Sequence, residues 1–365
     1  MKRNSFSNVT LASLTSLAFL MNAAQAQENG YVNGSGTLFS FSPSTGAIVG
    51  SSTVTATAEP LAVAGNDSRL YLIGFGSLYS VVGKTGEVAG YLPISGLEPR
   101  SVALTKDGTT AYVATSGGVS VIDTATFSIV GSIAQIGPAY DVALSPDDST
   151  LYMSVDCSDA CPPPSICKVE IGVCAFNRST LALKWQVKNI GGLLSVSNDG
   201  SYVYVAAPES YGKPGYPLNA INTSTQAVTN LGVSEEKDME PLRIITDPAS
   251  TYAVVFEQSA YTGVETPASA YLLNTFTNKF VGTLFSTAPG GMAVTNSASA
   301  AAFAPDGKSV WMLLSCRAAT MPNCSDESQQ IYLAGFSLPS GAAISYQALP
   351  GEVAGNSDQS LAFPR

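Results

Sequence analysis

Three observations in the sequence predict an all-β fold, a seven-bladed β-propeller. Segments beginning at Pro60, Pro99 and Pro138 align with one another and start 39 residues apart. A period near 40 residues with four short strands in each unit is the spacing of a propeller blade. Turn residues run through the whole chain, with 33 Gly and 21 Pro, while only 12% of residues are charged. That balance excludes a coiled coil or a charge-rich disordered chain. The two chain ends also complement each other. Residues 37–54 read as the last two strands of a unit that lacks its first, and Gln359–Pro364 reads as a first strand without followers. Joining them closes the ring and removes an exposed sheet edge.

The unit from Pro99 shows the elements in order. Ser101–Leu104 is the innermost strand, a. Lys106–Thr109 is a hairpin turn in which Gly108 supplies positive φ. Ala111–Thr115 is strand b, Gly117 and Gly118 turn the chain, and Val119–Asp123 is strand c. Thr124–Thr126 turns into strand d, Phe127–Gly131. Strands this short bury too little individually, so blades must stack face to face. Further units begin at Gly192, at Pro241 and near Ser299, and the tail at 359 makes seven. The first unit takes Tyr31 and Val32 as its strand b. Residues 1–26 read as a leader and 27–365 as one propeller domain.

The segments AYVATSGGVSVIDTATFSIVGSI (residues 111–133) and VALSPDDSTLYMSV (142–155) resemble the YVTN β-propeller repeat. That family lies near lactonase-like propellers and the β-chain of quinoprotein amine dehydrogenases. The resemblance implies a seven-bladed ring. It implies no single function, because related propellers serve as surface proteins, binding scaffolds, enzymes and enzyme subunits.

Lys2 and Arg3, an apolar stretch over Val9–Met21 and the small-x-small triplet Ala24–Ala26 form a secretory signal pattern, with cleavage after Ala26. The apolar stretch is too short to span a bilayer comfortably, and no integral membrane segment is expected after its removal. The expected location is the periplasm or the outside of the cell. The remaining chain carries 15 positive against 27 negative charges. A surface this acidic repels phosphate backbones, which excludes nucleic acid as a partner. In an exported chain, Cys157, Cys161, Cys167, Cys174, Cys316 and Cys324 read as disulfides. Cys316–Cys324 is the natural local pair, and the other four pair among themselves in an order that sequence leaves open. The spacing C-x3-C-x5-C-x6-C matches no standard zinc pattern, so no metal is expected.

The absence of histidine excludes Ser-His-Asp and Cys-His catalysis and His-ligated metals. No C-x-x-C-H occurs, and no cofactor is expected. Asp107, Asp147, Asp199 and Asp306 fall in a–b turns without the D-x-D-x-D-G spacing of a calcium loop, so turn chemistry explains them. Two regions remain as candidate sites. The first is one face of the ring, where the b–c connections 156–172, 208–217, 257–269 and 316–329 are long and contain Tyr211, Tyr216 and Tyr261. The second is the channel mouth, where Glu59, Glu98, Arg100, Tyr140, Asp141, Glu240, Arg243 and Asp358 enter strand a. Such charges can bind a polar ligand or pair with each other. The expectation is an exported binding protein that holds a protein, a surface polymer or a small ligand on the long-connection face. A His-independent lactonase- or lyase-like enzyme at the channel mouth, or a propeller subunit of a redox enzyme, is the alternative.

Overall fold

The computed structural model describes residues 29–34, 37–53, 61–63, 69–74, 76–83, 85–94, 97–133, 137–156, 171–206, 218–232, 239–246, 252–259, 269–285, 293–294, 301–316, 330–353 and 360–363. These form seven antiparallel sheets. Blade II contains strands Leu61–Val63, Arg69–Gly74, Ser77–Val82 and Val88–Pro93. Blade III contains Pro99–Leu104, Thr110–Thr115, Gly118–Asp123 and Ser128–Ile133. Blade IV contains Ala139–Leu144, Thr150–Asp156, Ile171–Asn177 and Leu183–Lys188. Blade V contains Leu193–Val196, Tyr202–Ala206, Leu218–Asn222 and Val228–Asn230. Blade VI contains Met239–Thr246, Tyr252–Ser259, Ser269–Asn274 and Lys279–Phe285.

Blade I joins the two ends of the chain. Ser360–Ala362 pairs with Gly30–Gly34, with Val32 opposite Leu361, and Thr37–Phe41 and Ile48–Thr53 follow. In blade VII the innermost strand is split. Ala293–Val294 and Ala301–Phe303 both pair with Ser309–Cys316, which continues to Gln330–Ser337 and Ala343–Val353. The sequence placed that blade's start near Ser299 and missed the earlier piece. The innermost strands contact one another in unbroken succession round the axis, blade VII meeting blade I and blade I meeting blade II.

The core consists of seven apolar layers, one between each pair of neighbouring blades. Strands b and c are therefore buried on both faces and read as nearly continuous apolar runs, as in Ala111–Thr115 and Val119–Ile122. Strands d form the rim and expose Val49, Tyr91, Val130 and Val281. Between blades VII and I, Phe41 meets Trp311 at 5.2 Å and Phe363 at 5.4 Å between ring centroids.

One register recurs round the ring. The central position of strand b is Tyr31, Tyr71, Tyr112, Tyr152, Tyr204, Val254 and Trp311 in blades I to VII, each buried. Its counterpart on strand d, two strands away, is Gly50, Gly90, Gly131, Trp185, Thr229, Gly282 and Ser345. Five of these are glycine or serine, and at Gly90 an added Cβ would stand 2.7 Å from Phe127 on the next blade's turn. The last residue of each c–d turn is left-handed in all seven blades: Gly46, Gly86, Phe127, Leu181, Gln226, Asn278 and Gly341. Glycine adopts this conformation freely and asparagine at small cost, whereas Phe127, Leu181 and Gln226 carry strain there.

The a–b turns are held by their aspartates, as the sequence indicated. Asp107 Oδ1 accepts from Thr105 Oγ1 at 2.6 Å and Thr109 N at 3.0 Å. Asp147 Oδ1 accepts from Ser145 Oγ at 2.6 Å and Ser149 N at 3.0 Å. These hydrogen bonds hold both carboxyls down to about 2. A depressed carboxyl stabilises the fold fully above its unfolded value near 3.8 and loses that contribution as pH falls through about 2. The melting temperature is therefore expected to fall between pH 4 and pH 2. An Asp107→Asn, Asp147→Asn double variant is expected to show a shallower fall. Equal slopes in thermal melts of the two proteins would contradict this.

Candidate functional site

At the axis, polar side chains on the innermost strands tie one blade to the next. Asp141 lies on strand a of blade IV and is 8% exposed. Its Oδ1 accepts from the Ser101 hydroxyl of blade III and from Val142 N at 2.9 Å, and its Oδ2 accepts from Leu194 N of blade V at 2.7 Å. One carboxylate thus links three consecutive innermost strands. Ser195 of blade V continues the chain of contacts, with its hydroxyl 2.9 Å from Thr246 Oγ1 of blade VI and accepting from Thr246 N at 3.1 Å.

Arg243, on strand a of blade VI, is the positive charge that acts on Asp141. The two form no direct ion pair among the described residues, and the buried Arg243 Nη1 has no hydrogen-bond partner there. Burial pushes the Asp141 carboxyl up, against the pull of Leu194 N, the Ser101 hydroxyl and Arg243. Burial likewise lowers Arg243 to about 10, with Asp141 opposing. A buried carboxyl beside an incompletely bonded guanidinium can orient a polar ligand or exchange a proton with one.

The other channel residues behave differently. Arg100 Nη2 lies 3.7 Å from Glu98 Oε2, with the Glu98 side chain 84% exposed. The Arg100 guanidinium also stands 5.0 Å over the Tyr140 ring, joining blade III to blade IV. An exposed pair of this kind contributes about 0–1 kcal/mol, and the ring contact about 0.5–1 kcal/mol. Glu240 is placed by its backbone alone, opposite Gln258. Glu59, Asp358, Tyr211, Tyr216, Tyr261, Cys157, Cys161, Cys167 and Cys324 lie outside the described residues. Cys174 is buried on strand c of blade IV, and Cys316 ends strand b of blade VII. Among the described residues there is no cluster of three or more metal-ligating side chains. No helix among the described residues is long and apolar enough to cross a membrane.

Strand ends define the second candidate. Strands b and c are two residues apart in blades I to III, at 35–36, 75–76 and 116–117. In blades IV to VII they are separated by 157–170, 207–217, 260–268 and 317–329. All four long connections therefore leave the same face of the ring in four consecutive blades, whereas the b–c connections of the other three blades are two residues long. The sequence called this asymmetry correctly. It missed Ser101 and Leu194 as partners of Asp141, because cross-blade contacts between first strands leave no pattern along the chain.

No protein-family model matches this chain, and no curated protein matches it either. The likeness to YVTN repeats thus rests on the repeat segments alone. Among solved structures, a chain titled Kuenenia stuttgartiensis Hydrazine Synthase superposes with a TM-score of 0.55 at 16% identity, covering 75% of each chain. At that identity the similarity establishes the fold, a seven-bladed β-propeller.

Proposed function

We propose that this chain is an exported binding protein that holds its partner on the face carrying the long connections. The observation that carries this reading is the grouping of the four long b–c connections on one side of one face. Loops on a rigid scaffold supply recognition while the ring supplies order. Tyr211, Tyr216 and Tyr261 bring flat amphipathic side chains to that region. The leader pattern at residues 1–26 and the even number of cysteines agree with export and with disulfides that stiffen the connections.

The test is loop exchange. Replacing 207–217 and 260–268 by two-residue Asn-Gly turns is expected to leave the ring folded and to abolish capture of the partner retained by the intact chain. Equal capture by both proteins would contradict the reading. Reduction with a thiol is expected to weaken capture while the β-sheet circular dichroism persists, and collapse of the whole spectrum would contradict the disulfide assignment.

A second reading, an enzyme working without histidine at the axis, is favoured by one observation: the buried Asp141 beside Arg243, whose Nη1 has no hydrogen-bond partner among the described residues. In that case Asp141 would transfer the proton and Arg243 would bind the negative charge that develops. An Arg243→Lys variant would then lose turnover of a lactone substrate while keeping partner capture, which separates the two readings.

A further inference from the structure

The grooves between blades open on the face opposite the long connections, and most are plugged. Each plug comes from the c–d turn of the following blade. Between blades III and IV, Arg178 bonds the Tyr112 hydroxyl, and Leu181 packs into the apolar layer. Between V and VI, the Tyr204 hydroxyl donates to Asn278 Oδ1 at 2.7 Å. Between VI and VII, Leu338 packs into the layer. Between VII and I, Trp311 lies so close to Gly46 that an added Cβ would stand 2.8 Å from the indole.

Between blades IV and V the groove stays open as a cavity of about 700 Å³. The position held by Arg178 in blade IV is Thr223 in blade V. Thr223 turns inward and donates to Gly200 O at 2.8 Å, so it does not cross the groove. The opposite wall carries Trp185 at the register position that is glycine in blades I, II, III and VI. Its ring is partly exposed and leans on Tyr152, with centroids 5.7 Å apart. Thr124 of blade III makes the same bond to Gly108 O at 2.6 Å, but there Phe127 fills the groove against Gly90 and Tyr71, whereas in the groove between IV and V a large indole lines the space that Thr223 leaves open. The smaller cavity of about 320 Å³ between II and III keeps Gly90 at that position.

The rim is polar and carries both signs of charge. Lys184 Nζ donates to Thr150 Oγ1 at 2.8 Å, and Asp147, Asn198, Asp199 and Gln226 face the same space. Gln226 occupies the left-handed turn position at φ 60°, and its Nε2 donates to Thr223 O at 3.0 Å. A strained non-glycine residue there extends a side-chain amide towards the cavity. Two carboxylates outweigh one lysine, which disfavours anionic ligands such as phosphates. Mixed donors and acceptors beside an accessible indole face suit a neutral ligand with one apolar face and many hydroxyls. The volume lies in the range of small-ligand sites.

We propose that the groove between blades IV and V binds a neutral oligosaccharide, with one sugar ring stacked on Trp185 and its hydroxyls bonded by Gln226, Lys184 and Asp147. This goes beyond the proposed function and does not rest on it, because the groove lies on the opposite face.

The chain has two tryptophans, and Trp311 is fully buried, so fluorescence quenching by acrylamide reads Trp185. The full chain would be titrated with cellohexaose, chitohexaose, maltohexaose, mannohexaose and, as an organic cation, tetramethylammonium. At least one hexasaccharide is expected to protect Trp185 saturably. Trp185→Ala is expected to abolish binding of that sugar, measured by saturation-transfer NMR. Gln226→Gly, which fits the left-handed position, is expected to preserve the fold and weaken binding at least about fivefold. The proposal is overturned if none of the sugars protects Trp185, if only the cation does, or if Trp185→Ala binds unchanged.

Discussion

Replacing Asp141 by alanine is expected to destabilise the protein by about 3–5 kcal/mol, the range for removing one partner from a buried charged network. The substitution leaves Leu194 N and Val142 N without their acceptor inside the ring and removes the counter-charge of Arg243. It also unlinks three innermost strands at once, so the loss is not confined to blade IV. Asp141→Asn keeps the volume and one acceptor oxygen but not the charge. It should lose less, about 1–3 kcal/mol, the cost of an imperfectly satisfied buried group. Urea unfolding of the three proteins checks this. A loss within about 0.5 kcal/mol for the alanine variant, as at an ordinary surface site, would show that Asp141 does not hold the axis. If catalysis in a lactone assay vanished while stability stayed unchanged, the carboxylate would belong to an active site and not to the ring's framework.

Removing residues 360–365 is the second large effect. Leu361 and Phe363 are 3% and 7% exposed and pack among Val32, Phe41, Trp311 and Leu333. Burial of two such side chains contributes about 3–6 kcal/mol. Their removal would also leave Gly30–Gly34 as an unpaired edge and a template for association. The truncated chain is expected to unfold at markedly lower urea and to self-associate, as seen by sedimentation. Leu361→Ala alone is expected to lose about 2–5 kcal/mol without association. Truncation that left both stability and monomeric behaviour intact would mean that blade I stands without its first strand.

The parts of the fold that repeat along the chain were legible in the sequence. The 39-residue spacing, the Asp-Gly turns and the complementary ends each have a local cause, and each reappears in the structure. Asp107 and Asp147 bond residues two positions away on either side, so their role could be read without knowing what lies across the ring. Asp141 could not be read that way. A polar residue on an innermost strand points either to the channel or to the neighbouring strands, and strand alternation does not say which. The sequence placed it at the mouth with Arg100, whereas Asp141 bonds Ser101 and Leu194 and only Arg100 stays in solvent. Trp185 was equally hidden. Its position opposite Ala175, two strands from Tyr152, depends on a bulge between strands c and d that shifts the register by one residue. The left-handed turn residues Phe127, Leu181 and Gln226 were missed because they carry no sequence sign of positive φ, while Asn278, a residue type that tolerates it, was not read as one.

Closure of the ring by the last strand underlies both proposed binding faces, and native-state hydrogen exchange tests it most directly. The backbone amides of Tyr31–Asn33, which lie between the C-terminal strand and Thr37–Phe41, are expected to exchange as slowly as those of Ala111–Val113 in blade III. They should lose that protection when residues 360–365 are deleted. Fast exchange at Tyr31–Asn33 in the intact chain, with Ala111–Val113 protected, would contradict a closed seven-bladed ring.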